Sequence, residues 1–183
     1  MRSKIISLSI LLSMAIVFTS IAFSGETKYF LPFDIKYHSL SKPAQKQVEC
    51  LAENIYHEAG HEPQAGKVAV AMVTLNRVAS GNYANDICGV VKQKSNGTCQ
   101  FSWVCVSPQG LTIRNNSLYN DIRNLAVNVV MNYENMADIT HGATYYHATY
   151  VNPGWKLPKT TQIGNHIFYK SSKDKVTNKE IKI

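Results

Sequence analysis

The chain has 183 residues, the size of one domain with room for a packed core, which excludes a multidomain machine. Hydrophobic residues at 45% and charged residues at 17% are globular proportions and exclude a wholly disordered or fibrous protein. Nineteen Lys and Arg against twelve Asp and Glu leave +7, an excess that favours an anionic partner such as nucleic acid, a membrane surface or a cell-wall polymer.

Arg2 and Lys4 precede an apolar run from Ile5 to Phe23, and Ala22-Phe23-Ser24 offers small residues where a signal peptidase reads, so residues 1–24 are expected to be a signal peptide. An uncleaved anchor is the alternative, since roughly 20 apolar residues can span a bilayer, although Ser7, Ser9 and Ser13 weigh against it. Residues 25–42 read as an irregular lead-in with aromatic anchors Tyr29, Phe30, Phe33 and Tyr37. A helix is predicted next, with Ser41 as N-cap and Pro43 in its first turn. Its apolar positions Val48, Leu51, Ile55 and Ala59 recur at steps of three and four, and Gly60 and Pro63 stop it. A second helix over Gln64 to Ser80 carries the run Val68 to Val73, apolar on nearly every side and therefore buried, with Gly81 closing it.

Asn85 or Asp86 can cap a short helix through Val91, and Ser95-Asn96-Gly97 signals a turn. Loop chemistry holds from Thr98 to Asn116. Leu118, Ile122, Leu125, Val129 and Tyr133 then mark an amphipathic helix ending near Asn135. Residues 143–151 are rich in aromatic and β-branched types and predict a strand, with His166 to Tyr169 as its partner. The lysine-rich tail 171–183 is expected to be loose. Export lets cysteines pair, and Cys50, Cys88, Cys99 and Cys105 allow three pairings or buried free thiols. Cys99 and Cys105 bracket a short segment and are the favoured short bridge, leaving Cys50 for Cys88.

His57-Glu58-Ala59-Gly60-His61 satisfies the HExxH pattern of zinc proteases, two imidazoles one helical turn apart with a glutamate base between them. A zinc-dependent peptidase or amidase using His57 and His61 is therefore the alternative function. Its context is poor: Gly60 and Pro63 break the helix where both ligands must be held, and Gln64 and Lys67 stand where the extended pattern needs Gly and His.

Without the metal, Ile55-Tyr56-His57-Glu58-Ala59-Gly60-His61-Glu62-Pro63, followed by Gly66-Lys67-Val68-Ala69-Val70-Ala71-Met72-Val73-Thr74-Leu75-Asn76-Arg77-Val78, resembles the opening of the cell wall hydrolase family that includes the catalytic domain of spore cortex-lytic enzymes. The resemblance continues through Cys88-Gly89-Val90-Val91, Cys99 to Trp103, Gly142 to Ala148, Asn152 to Trp155 and Ile163 to Tyr169, with every block in order from about residue 45 to 170. One position departs from the pattern. Where the family reads Arg-Gly after Glu-Ala, this chain has Gly60-His61, the exchange that creates the HExxH string.

The resemblance implies an α+β, lysozyme-like fold, mainly helical with a small antiparallel β-hairpin, and a catalytic domain over 43–170. It also implies cleavage of peptidoglycan glycan strands between N-acetylmuramic acid and N-acetylglucosamine, with Glu58 catalytic and neither metal nor cofactor. A glutamate late in a helix among apolar and aromatic neighbours can have its pKa raised to protonate a leaving oxygen. Hydrolysis would need a second carboxylate, and only Glu53 and Glu62 lie near in sequence. With neither facing the cleft, the muramic acid 6-hydroxyl attacks its own anomeric carbon, which is lytic transglycosylation. Glu62 is expected in a supporting role, and Gln100, Phe101, Ser102, Tyr146, His147 and Trp155 in substrate binding. The partner expected is peptidoglycan, acted on by an exported monomer in the periplasm or outside the cell. No nucleic-acid module is recognisable, and membrane contact is expected only through an uncleaved N-terminal segment.

Overall fold

The computed structural model describes residues 35–106, 111–176, 181 and 183. The chain divides into two units, Met1–Phe30 and Leu31–Ile183. The signal expectation for 1–24 and the anchors Tyr29, Phe30 and Phe33 lie outside the described residues. Among the described residues no helix is long and apolar enough to cross a membrane.

Helix α1 spans Lys42–Ala59, with Ser41 accepting a hydrogen bond from the Ala44 amide and Pro in the first turn. Helix α2 spans Gln64–Ser80 and ends on Gly81 in the left-handed conformation. Asp86 caps α3, Ile87–Lys92, by accepting from the Gly89 amide. Asn115 does the same for α4, Asn116–Asn132, by accepting from Leu118. A 3-10 turn, Tyr133–Asn135, continues α4 to the predicted end.

Helix α1 packs against α2, α3 and α4. Val48, Leu51, Ile55, Met72, Leu75, Ile122 and Val129 are buried where these faces meet, as their helical spacing requires. Both favoured disulfides are present. Cys50–Cys88 joins α1 to α3, and Cys99–Cys105 closes a six-residue span.

The strands form two sheets. Strands β1 (Lys94–Ser95) and β2 (Thr98–Cys99) make a short hairpin around the Asn96-Gly97 turn. The other sheet has three strands in the order β3-β5-β4, all antiparallel: β3 is Tyr145–Ala148, β4 Lys159–Ile163 and β5 His166–Tyr169. The predicted pairing of β3 with β5 is present, with Tyr146 opposite Phe168. The expected single hairpin is corrected by β4, which the sequence reading passed over. Its signal was the two-residue Gly164-Asn165 link between β-branched and aromatic runs, a hairpin turn that suits glycine at a φ of +56°. The sheet lies on α2 through Ala69, Val73, Ala143 and Phe168.

The expectation of a loose tail is corrected over 171–174 and at Ile181. Ser171, Asp174 and Ile181 are buried. The Asp174 carboxylate accepts from Thr144 Oγ1 at 2.6 Å, Asn82 Nδ2 at 3.0 Å and the Tyr83 hydroxyl at 3.3 Å, so this segment is tied to the loop after α2 and to the residue before β3. A buried carboxylate with three donors costs far less than an unpartnered one.

Candidate active site

Glu58 lies seven residues after Leu51 and four after the fully buried Asn54, so it sits on the inward face of α1, one residue before the helix's last. Its carboxylate opens into a cleft of about 350 Å³ lined also by Arg77, Gln100, Phe101, Ser102, Tyr145, Tyr146 and Trp155. The Tyr146 hydroxyl donates to Glu58 Oε2 at 2.9 Å. Burial raises the Glu58 pKa above the ordinary carboxylate value; the Tyr146 hydrogen bond and the charge of Arg77 offset part of that rise. The result is a carboxyl group biased toward its protonated form, facing an open cavity.

Three devices hold the walls. On one side, Asn54 donates to Thr74 Oγ1 at 3.2 Å and accepts from Trp103 Nε1 at 3.1 Å, fastening the 99–105 loop to α1 one turn before Glu58. The Cys99–Cys105 bridge closes that loop. On the other side, Asn76 donates to Asp138, Thr140 and the Ala143 carbonyl, and Arg77 Nε donates to the Thr144 carbonyl at 2.8 Å. These bonds fix the approach of β3 to α2 and with it Tyr145 and Tyr146. Sequence reasoning missed Asn54 and Thr74. Their signal was polar side chains inside runs otherwise apolar, positions that stay buried only when fully bonded.

Of the expected substrate-binding residues, Gln100, Ser102, Tyr146 and Trp155 line the cleft with Glu58. Trp155 is 41% exposed, its ring meeting the edges of Tyr145, His147 and Tyr169 at centroid distances of 5.6 to 5.9 Å, which leaves it free to stack on a ligand. Phe101 is buried and packs under Arg77, so it forms floor instead of offering a face to a ligand. His147 is not among the residues lining the cleft with Glu58. Its ring stacks on Tyr169 and meets Trp155 edge-on, one step away from the cleft wall. Its Nε2 lies 2.9 Å from the Tyr169 hydroxyl.

Neither nearby acid joins Glu58. Glu62 follows the end of α1, and its two carboxylate oxygens accept from the backbone amide (3.0 Å) and side-chain amide (2.9 Å) of Asn165. Burial pushes its pKa up, but the Asn165 hydrogen bonds with the charges of His166 and Lys67 outweigh that and leave it lowered. A Cβ at Gly164 would collide with Glu62 Oε2, so glycine at that turn lets the carboxylate reach Asn165. Glu62 therefore clamps the β4–β5 turn to the end of α1. Glu53 faces Lys92 and Glu49, and burial raises its pKa.

The zinc alternative fails on geometry. His57 and His61 line a different pocket, with Tyr56, Leu111, Thr112 and Arg114, while the glutamate that should serve them as base faces the Arg77–Tyr146 cleft. The His57 ring packs on Trp103 at 4.6 Å, burial lowers its pKa, and His61 stands beyond the last residue of α1. Among the described residues no group of three or more His, Cys, Asp or Glu side chains is arranged to hold a metal ion.

A helical domain with a small antiparallel sheet and one carboxyl group in a polar, aromatic-walled cleft is the lysozyme-like architecture, and comparison with known proteins gives its family. The cell wall hydrolase family model matches residues 61–169, more than half of the chain, and the chain belongs to that family. The spore cortex-lytic enzyme of Bacillus cereus is 30% identical over 135 residues, covering 69% of this chain and 45% of that protein; that of Bacillus subtilis is 30% identical over 129 residues, covering 68% and 38%. The chain thus spans less than half the length of these curated relatives. Two solved structures, each 29% identical over 69% of this chain, share the fold. They are the catalytic domain of the Bacillus cereus SleB protein (TM-score 0.51, 91% of that chain covered) and that of the germination-specific lytic transglycosylase SleB from Bacillus anthracis (0.53, 95%). The family match begins three residues after Glu58, so the case for Glu58 rests on its position in the cleft.

Proposed function

We propose that this protein cleaves the glycan strands of peptidoglycan between N-acetylmuramic acid and N-acetylglucosamine by lytic transglycosylation, with Glu58 as the one acid and base. The observation that carries the proposal is the isolation of Glu58. Among the described residues lining the cleft it is the only carboxylate, whereas Glu62 has both oxygens engaged by Asn165. Glycosidases that hydrolyse place two carboxyl groups across the bond, roughly 5 to 9.5 Å apart. A single acid suits an internal nucleophile. Glu58 gives its proton to the glycosidic oxygen as the bond to the anomeric carbon breaks, and the N-acetylglucosamine leaves as an alcohol. The ionised carboxylate then takes the proton from the muramic acid 6-hydroxyl as that oxygen bonds to the anomeric carbon, leaving a 1,6-anhydro end and a reprotonated Glu58. Likeness to a structure described as a lytic transglycosylase supports this reading.

In this account Gln100 and Ser102 hydrogen-bond to sugar hydroxyls and acetamides, and Trp155 stacks on a ring. The protein works as a monomer, exported to the cell wall behind its N-terminal signal, where its positive charge suits an anionic polymer. Purified peptidoglycan digested with the protein and separated by mass tests the proposal. Anhydro-muramyl products support it, and freed peptides or intact strands oppose it.

A further inference from the structure

Arg77 is 4% exposed at the last turn of α2 and yet reaches the cleft wall beside Glu58. Its guanidinium is held from three directions. Nε donates to the Thr144 carbonyl at 2.8 Å, and the group lies 5.0 Å from the centre of the Phe101 ring and 5.4 Å from that of Tyr83. Its Nη1 is buried and meets no hydrogen-bond partner among the described residues. It is the only cation among the described residues lining the cleft. A buried charge with an idle donor is expensive as plain scaffolding, because an apolar side chain of similar volume serves packing as well or better.

We propose that Arg77 is a positioning residue whose fixed positive charge steadies Glu58 each time the acid gives up its proton. The inference rests on the lytic reading and deepens it. In a partly buried site a newly formed carboxylate is costlier than in water, and a cation already locked in place lowers that cost without reorganising. Two opposed influences then meet on Glu58. Burial favours the protonated form, while the Tyr146 hydroxyl and the charge of Arg77 favour the ionised one. The groups facing Glu58 are Arg77 from α2 and Tyr145 and Tyr146 from β3. Behind them lie Tyr83 and Asp174 on the Arg77 side, and His166 and Glu62 on the Tyr146 side.

The test is the pH profile of kcat/KM for glycan cleavage by the whole protein, together with melting temperature. Activity needs protonated Glu58, so its alkaline limb follows the Glu58 pKa. Removing a neighbouring cation raises a carboxyl pKa by about one unit or more. Arg77→Met should therefore move the limb up by about a unit while lowering the plateau at least tenfold, and Arg77→Lys should keep the limb near its wild-type position. A lower plateau and melting temperature with an unmoved limb would make Arg77 scaffolding and overturn the proposal. If Arg77→Met does not fold, the wild-type protein decides. The side-chain nitrogen resonances of Arg77 should titrate with the midpoint of the activity limb and stay flat in Glu58→Gln; resonances that ignore pH in the wild type refute the coupling. Wild-type protein that cleaves no glycan at any pH would instead defeat the lytic reading, which separates the two failures.

Discussion

In the proposed reaction Glu58 is the acid and base, and its environment sets two measurable expectations. Glu58→Gln keeps shape and the capacity to accept from Tyr146 but has no proton to give, so glycan cleavage should fall by about 10²- to 10⁴-fold. The same change should raise the melting temperature at neutral pH. Burial raises the folded-state pKa, so the ionised carboxylate costs folding stability as pH climbs past its unfolded pKa, and the amide removes that cost. A gain in melting temperature that grows from pH 4 to pH 8 is the expected result, and equal stability across that range would show that Glu58 is solvated. Glu62 has the opposite sign. Its folded pKa is lowered, so the clamp on Asn165 stabilises the protein above the unfolded pKa and is lost as pH falls through the folded one. Glu62→Gln should therefore leave most glycan cleavage intact and flatten the acid limb of a stability profile. A loss of activity as deep as that of Glu58→Gln would make Glu62 a second catalytic carboxylate.

At the scale of elements, the two disulfides divide their work. Cys50–Cys88 spans 38 residues and ties two core helices, and Cys99–Cys105 shapes the loop carrying Gln100 and Ser102. A bridge of this kind is worth about 2 to 4 kcal/mol. Replacing Cys50 and Cys88 with alanine should thus lower the melting temperature by several degrees, whereas replacing Cys99 and Cys105 should raise KM more than it lowers stability. Similar melting temperatures and unchanged KM in both would contradict that division. The helices were legible because their caps, Ser41, Asp86 and Gly81, stand at the ends of clean apolar periodicity, and local rules decide such elements. Strand β3 was legible from its β-branched and aromatic run. Strand β4 was not, because Lys159-Thr160-Thr161-Gln162 is polar and becomes a strand only by pairing with β5, a choice made by the Gly164-Asn165 turn and the bulge at Thr160. The cleft residues were legible through the family resemblance. The face each strand residue takes was not, since alternation alone leaves the sign open, and Tyr146 won the inner face because Phe168 and His166 pack with it. The Asn54–Trp103 and Asn76–Thr140 bonds join positions 49 and 64 residues apart, beyond the reach of any local pattern.

For the whole molecule, a helical core supplies a rigid floor, and a disulfide-closed loop and a sheet supply walls, so that one partly buried acid faces an aromatic-lined groove on a cationic protein. The His57–His61 string belongs to a separate pocket. Exhaustive chelation should accordingly leave glycan cleavage unchanged, and loss on chelation with rescue by zinc would return the metal reading. The central claim is that one carboxylate suffices because the substrate supplies its own nucleophile. Digestion of purified peptidoglycan in water enriched in oxygen-18, followed by mass spectrometry of the muropeptides, tests it most directly. The account predicts 1,6-anhydro-muramyl ends that carry no label. Reducing muramic acid ends that take up one labelled oxygen per cleavage would show that water is the nucleophile and would contradict it.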